Sequence, residues 1–90
     1  LADEEIIVVA NTSVSSVWEG DILVDYDLNA RTRVFDLLYC NHETVNEVPV
    51  IDKSNIKTTS ISDGSLISGP ARVINLRMNP MEIQILRNRI

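Results

Sequence analysis

Asp25, Asp27, Asn29 and Asp36 stand at positions 1, 3, 5 and 12 of the stretch DYDLNARTRVFD. A calcium loop of the EF-hand kind uses side-chain oxygens at that spacing, because hard Ca²⁺ takes several oxygen ligands. Two features oppose that chemistry. Ala30 sits at position 6, where such loops turn sharply on glycine, and Arg31 and Arg33 put positive charge inside the loop. The flanking pattern is that of strands, not helices. The stretch therefore reads as a polar interstrand loop, and no metal or other cofactor is expected.

Cys40 and His42 are the next candidates. A structural zinc needs four ligands, and the chain holds one cysteine and one histidine. On a strand, residues i and i+2 share a face about 7 Å apart, beyond direct hydrogen-bond reach for a nucleophile and its base. The pair reads as a buried thiol and a surface imidazole at a strand end. Trp18 is the only tryptophan. An exposed indole suits the C–H face of a pyranose, so Trp18 is the candidate carbohydrate contact, with Tyr26 or Tyr39 beside it. A lone Trp more often packs in a core or a domain interface. Asn11-Thr12-Ser13 has the form of a glycosylation acceptor, but with no visible secretory context it reads as an ordinary turn. Gly20, Gly64 and Gly69 are too scattered for a phosphate loop. No carboxylate pair assembles into an acid–base set, so no catalytic residue is expected.

The elements that position these groups read as short strands. Residues 5–10, EIIVVA, are apolar on both faces and predict a central strand covered on both sides. The polar run 11–16 is a turn, Glu19-Gly20-Asp21 extends it, and a strand follows over 21–26. DLNART, residues 27–32, is a loop before VFDLLYC, residues 34–40. There Phe35, Leu37 and Tyr39 alternate onto one face, opposite Val34, Asp36, Leu38 and Cys40. Val48-Pro49-Val50-Ile51 reads as a short edge strand, because proline is confined to edges. Residues 55–61 read as another. Pro49, Lys53 and Lys57 then blunt these edges. Ser62-Asp63-Gly64-Ser65 and Ser68-Gly69-Pro70 are turns.

Residues 71–88 predict a closing hairpin broken at Asn79-Pro80. Ile74, Leu76 and Met78 share one face of its first arm. Met81, Ile83 and Ile85 share the apolar face of the second, with Glu82 and Gln84 opposite. No helical period exceeds about two turns. The whole predicts one all-β domain over residues 1–90, an antiparallel, Greek-key-like β-sandwich of about seven short strands.

Composition excludes several classes. Ninety residues with 44% hydrophobic and 23% charged side chains fit one modest globular domain. A net charge of −5 and scarce aromatics oppose nucleic-acid binding, which needs bases interleaved with stacking rings. No run approaches membrane-spanning length. The single cysteine fits a reducing compartment, and a cytoplasmic location is expected. The start at Leu1 rather than Met suggests a processed or excised piece. Residues 1–30 hold Asp3, Glu4, Glu5, Glu19, Asp21, Asp25 and Asp27 but no Lys or Arg, whereas Arg72, Arg77, Arg87 and Arg89 crowd the end. This is either a mixed solvated surface or a sign that the first and last strands are neighbours.

Three passages carry a family likeness: EEIIVVANTS at the start, DILVDYDLN in the second strand, and ARVINLRMNPMEIQIL at the close. Together they resemble the C-terminal β-sandwich domain of the α-amylase superfamily of glycoside hydrolases and transglycosylases. Asn11-Thr12-Ser13, Trp18-Glu19-Gly20 and the run Leu76 to Leu86 fit that layout, while residues 41–70 add nothing to it. The resemblance implies a non-catalytic accessory domain that follows a catalytic (β/α)₈ barrel in the parent chain, packs on it and stabilises it. The catalytic carboxylates of that family belong to the barrel, so none is carried onto this sequence. Two alternatives stay open. One is a carbohydrate-binding module for α-glucan or oligosaccharide, carried by Trp18. The other is a free-standing interaction domain that pairs through a sheet edge.

Overall fold

The computed structural model describes residues 4–42, 47–59 and 66–89. They form an all-β, wholly antiparallel fold. Its strands are β1 (Ile6–Ala10), β2 (Trp18–Val24), β3 (Val34–Cys40), β4 (Glu47–Thr59), β5 (Leu66–Met78) and β6 (Ile83–Asn88). One six-stranded sheet runs in the order β1-β6-β3-β4-β5-β2 and curls into two layers. The run β6-β3-β4-β5 has Greek-key order. β1, β6, β3 and the start of β4 make one layer; the rest of β4, β5 and β2 make the other. Between them lie Val24, Phe35, Val48, Ile74, Leu76, Met78 and Leu86, all buried. Each such side chain contributes roughly 1.5–3 kcal/mol when fully removed from water.

Six strands replace the expected seven because 48–51 and 55–61 are not two edge strands. Residues 48–51 and 55–59 belong to β4, one thirteen-residue strand in the interior of the sheet, and residues 60–61 lie outside the described residues. Pro49 is tolerated there because β4 pairs only with β3 at that point, and its ladder to β5 begins at Val50. Pro70 likewise sits inside β5 rather than in a turn. Ser54 and Asn55 of β4 oppose Pro70 alone, between the pairs Lys53·Ala71 and Ile56·Gly69. A bulge is the natural answer to a residue with no N–H to give the ladder. The true edges are β1 and β2, so Pro49, Lys53 and Lys57 guard neither. The turn expected at Ser62-Asp63-Gly64-Ser65 lies outside the described residues.

β1 is not the doubly covered strand its composition suggests. It has a single neighbour, β6, and only Ile7 and Val9 turn toward the core; Ile6 and Val8 are 46% and 67% exposed. The pairing does bring the acidic start beside the basic end, with Glu4 3.8 Å from Arg87. The second strand runs over 18–24 rather than 21–26, so Trp18, Glu19 and Gly20 are ladder residues and not a turn. A bulge at Leu38 re-aims the end of β3: Leu37 pairs Leu86 and Tyr39 pairs Ile85. Phe35, Leu37 and Cys40 therefore face inward and Tyr39 outward, against the simple alternation.

The largest departure concerns residues 71–88. β5 and β6 do not pair; Asn79 to Glu82 carry the chain from one layer to the other as an arch. Ile74, Leu76 and Met78 are buried as expected. On β6 the faces are reversed. Glu82, Gln84, Leu86 and Asn88 are each no more than 3% exposed, while Met81 and Ile83 are 54% and 40% exposed. Met81 takes a left-handed backbone at φ 60°, the only such non-glycine among the described residues. That conformation costs an L side chain about 1–2 kcal/mol. Met81→Gly should therefore raise stability by about 0.5–1 kcal/mol, after the larger unfolded-state entropy of glycine is offset. Urea denaturation measures it, and a destabilised variant would show that the turn is not strained.

Candidate functional site

Glu82 anchors the polar end of the core. Its Oε1 accepts from the backbone N–H of Asn79 at 3.0 Å and from Asn79 Nδ2 at 3.1 Å. Its Oε2 accepts from Gln84 Nε2 and from the Cys40 thiol at 3.5 Å. Burial pushes the Glu82 carboxyl up, but these four donors together hold it below its ordinary value of 4.5. Burial, with the adjoining Glu82 charge, pushes the Cys40 thiol up, so it stays protonated and unreactive. His42 is exposed and meets the sulfur only through its backbone N–H, at 3.3 Å. The arrangement is a thiol turned inward and an imidazole at a strand end.

Asn11 and Asn41 tie down the same arch. Asn11 Nδ2 donates to the carbonyls of Ser16 (2.8 Å), Met78 (3.2 Å) and Asn79 (3.2 Å). A glycan on that nitrogen would displace these bonds, so the turn reading of Asn11-Thr12-Ser13 has the geometry behind it. Asn41 donates to the Met81 carbonyl at 2.9 Å and accepts from the Ile83 N–H at 2.8 Å.

The four residues with calcium-loop spacing go to separate partners. Asp25 Oδ1 caps the N–H of Leu28 at 2.7 Å. Asn29 is fully buried; it donates to Glu5 Oε1 at 2.6 Å and accepts from Asn88 Nδ2 at 3.0 Å. Asp36 is taken by Arg89, which also reaches Glu47. Asp27 is exposed, and its carbonyl accepts from the Ala30 N–H at 3.3 Å. Among the described residues no group of three His, Cys, Asp or Glu converges on a point that could hold a metal ion.

Trp18 lies on edge strand β2 with 38% of its surface exposed. Its ring covers Gly20, where a Cβ would come within 2.8 Å of the indole. An aromatic laid over an edge glycine shields backbone that the missing side chain leaves bare. One face of the indole is thus spoken for. Tyr26 is occupied as well, because the Arg72 guanidinium lies 4.0 Å from its ring centre.

Two surfaces emerge that no sequence motif marks. The first is the outer face of β1-β6-β3. Val8, Ile85 and Tyr39 stand in one row across the strands, with Ala10 and Ile83 in the next. Leu38 flanks them at 48% exposure, and Arg87 and Asp36 form a polar rim. The second is a groove of about 400 Å³ between the β2–β3 loop and the β4–β5 ladder, lined by Arg31, Arg33 and Arg72. The apolar row was hidden by the reversed faces of β6. The groove was hidden because Arg72 is distant in sequence from the other two arginines.

No protein-family model, no curated protein and no solved structure matches the chain.

The buried carboxylate fixes a pH dependence. Because its folded value lies below the ordinary 4.5, the stability Glu82 contributes is complete above 4.5 and is lost as pH falls through the folded value. Glu82→Gln should cost about 1–3 kcal/mol at pH 7, since a donor amide then faces other donors. The gap from the native chain should shrink by pH 3. A gap equal at both pH values in urea melts would show that the Glu82 charge contributes nothing.

Proposed function

We propose that the chain is a non-catalytic accessory β-sandwich of an α-amylase-like carbohydrate-active enzyme, seated on the helices of that enzyme's (β/α)₈ barrel. The observation that supports the reading is the outward apolar row of Val8, Ile85, Tyr39 and Ile83. On β6 the core takes Glu82, Gln84 and Asn88 while isoleucine faces out. The isoleucines that this register turns out gain burial only where another apolar surface covers them. The outer ring of a barrel is made of helices and supplies such a surface. The site residues of this reading are packing residues, not catalysts.

Two measurements test it. A (β/α)₈ barrel encoded directly upstream of Leu1 would support it, and a start codon there would remove it. In the barrel-linked protein, Val8→Lys and Tyr39→Lys should lower the melting temperature of the whole. In the 90-residue chain alone the same changes should stay within about 0.5 kcal/mol of the native chain, because both side chains are exposed there. Equal effects in both settings would mean that the face docks nothing.

A second reading is sugar binding at Trp18, favoured by its part-exposed indole at a sheet edge. Maltooligosaccharides at millimolar concentration should then quench and shift the emission of this lone Trp. An unchanged spectrum would confine Trp18 to shielding Gly20.

A further inference from the structure

The arginine groove is built apart from the apolar face, and its chemistry does not depend on the accessory-domain reading. Arg72 is held in place from two sides. Its Nε lies 3.1 Å from Asp52 Oδ1, and its Nη1 donates to the Tyr26 carbonyl. The Tyr26 ring lies against the guanidinium plane. These contacts leave Nη2 as the uncommitted end of a fixed, largely buried guanidinium, 16% exposed as a side chain.

Arg31 and Arg33 line the same groove from the loop before β3. The Arg33 carbonyl accepts from the Val50 N–H at 2.9 Å, which pins that loop to β4 beside Asp52. Arg87 and Arg89 are paired with carboxylates elsewhere, at Glu4, Asp36 and Glu47. Among the described residues the side chains of Arg31 and Arg33 have no hydrogen-bond or ion-pair partner. Among the described residues Asp52 is the one acid lining the groove, and it is already joined to Arg72.

Three arginines and one aspartate lining the same groove leave a local excess of positive charge in a chain whose net charge is −5. Like charges brought together this way repel unless an anion sits among them. The planar forks of arginine suit oxyanions with several acceptor oxygens, above all the phosphoryl group, and Thr32 also lines the groove. We propose that this groove is an anion site that takes a phosphoryl group, from free phosphate or from a phosphate monoester, on Arg31, Arg33 and the free end of Arg72.

The test is an NMR titration of the 90-residue chain, following backbone amides and arginine Nε–H signals. The probes are inorganic phosphate, glucose 6-phosphate and uncharged glucose, at low ionic strength where exposed charges are least screened. The expected result is saturable movement of the Arg31, Arg33 and Arg72 signals with both phosphates and none with glucose. Tighter binding of glucose 6-phosphate identifies a monoester as the ligand, and equal binding identifies free phosphate. The double variant Arg31→Gln/Arg33→Gln should weaken binding about tenfold or more. Both side chains are exposed, so its fold should survive. Arg77→Gln, on the outer face of β5, should leave binding unchanged. Three results would overturn the proposal: no saturable movement, an equal response to glucose, or an Arg77→Gln loss as large as that of the double variant.

Discussion

The buried Glu82 carboxylate is the constraint on which the arrangement of this sheet depends. A charged group at 1% exposure is tolerable only with its oxygens fully engaged, and both oxygens of Glu82 are. Asn79 supplies two of the donors, and Asn79 is also where the chain leaves β5. The carboxylate thus holds the arch closed from inside. Once Glu82 points inward, period-two alternation fixes the rest of β6: Gln84, Leu86 and Asn88 follow it in, and Ile83 is turned out. The apolar outer face and the polar inner row are two results of the same register.

A second polar clamp closes the other end of the core. Glu5, Asn29 and Asn88 bond to one another and draw the β2–β3 loop onto the β1–β6 pair. No buried side-chain nitrogen or oxygen among the described residues lacks a partner. Polar cores satisfied to this degree specify one register rather than adding much net stability. The hydrophobic residues between the clamps supply the driving force; the clamps decide which way the strands face.

That division explains what could be read from the residues alone. The all-β class and antiparallel order follow from short alternating runs set off by turn residues, and VFDLLYC and IIVVA form strands over the ranges their pattern gives, although IIVVA is an edge strand and not a central one. Ile74, Leu76 and Met78 were legible as core. The faces of β6 were not. Period two says that Glu82 and Ile83 point opposite ways, and hydrophobicity then favours burying Ile83. The winning term was instead a set of four hydrogen bonds from Asn79, Gln84 and Cys40, three of them supplied by Asn79 and Gln84, which look like ordinary surface. The β3 faces failed for a related reason, since one bulged residue at Leu38 exchanges inside and outside beyond it. Asp25, Asn29 and Asp36 were visible as a polar string, but their partners Glu5, Asn88 and Arg89 lie far along the chain.

Sheet order carries a consequence for how the chain is assembled during synthesis. β3, β4 and β5 follow one another and pair in sequence, so their meander can form as soon as Met78 has emerged. Among the described residues β1 pairs only with β6, and the pair Ile6·Arg87 joins residues far apart in the sequence. Closing so long a loop is slow, and the N-terminal strand must wait for the last one. Until Ile83–Asn88 leaves the ribosome, Ile7 and Val9 have no layer to join, and one whole side of the core stands open. Any slowing of translation ahead of Ile83–Asn88 lengthens that exposed interval, which makes the wait for β6 the point at which a nascent chain of this kind is most open to capture by a chaperone.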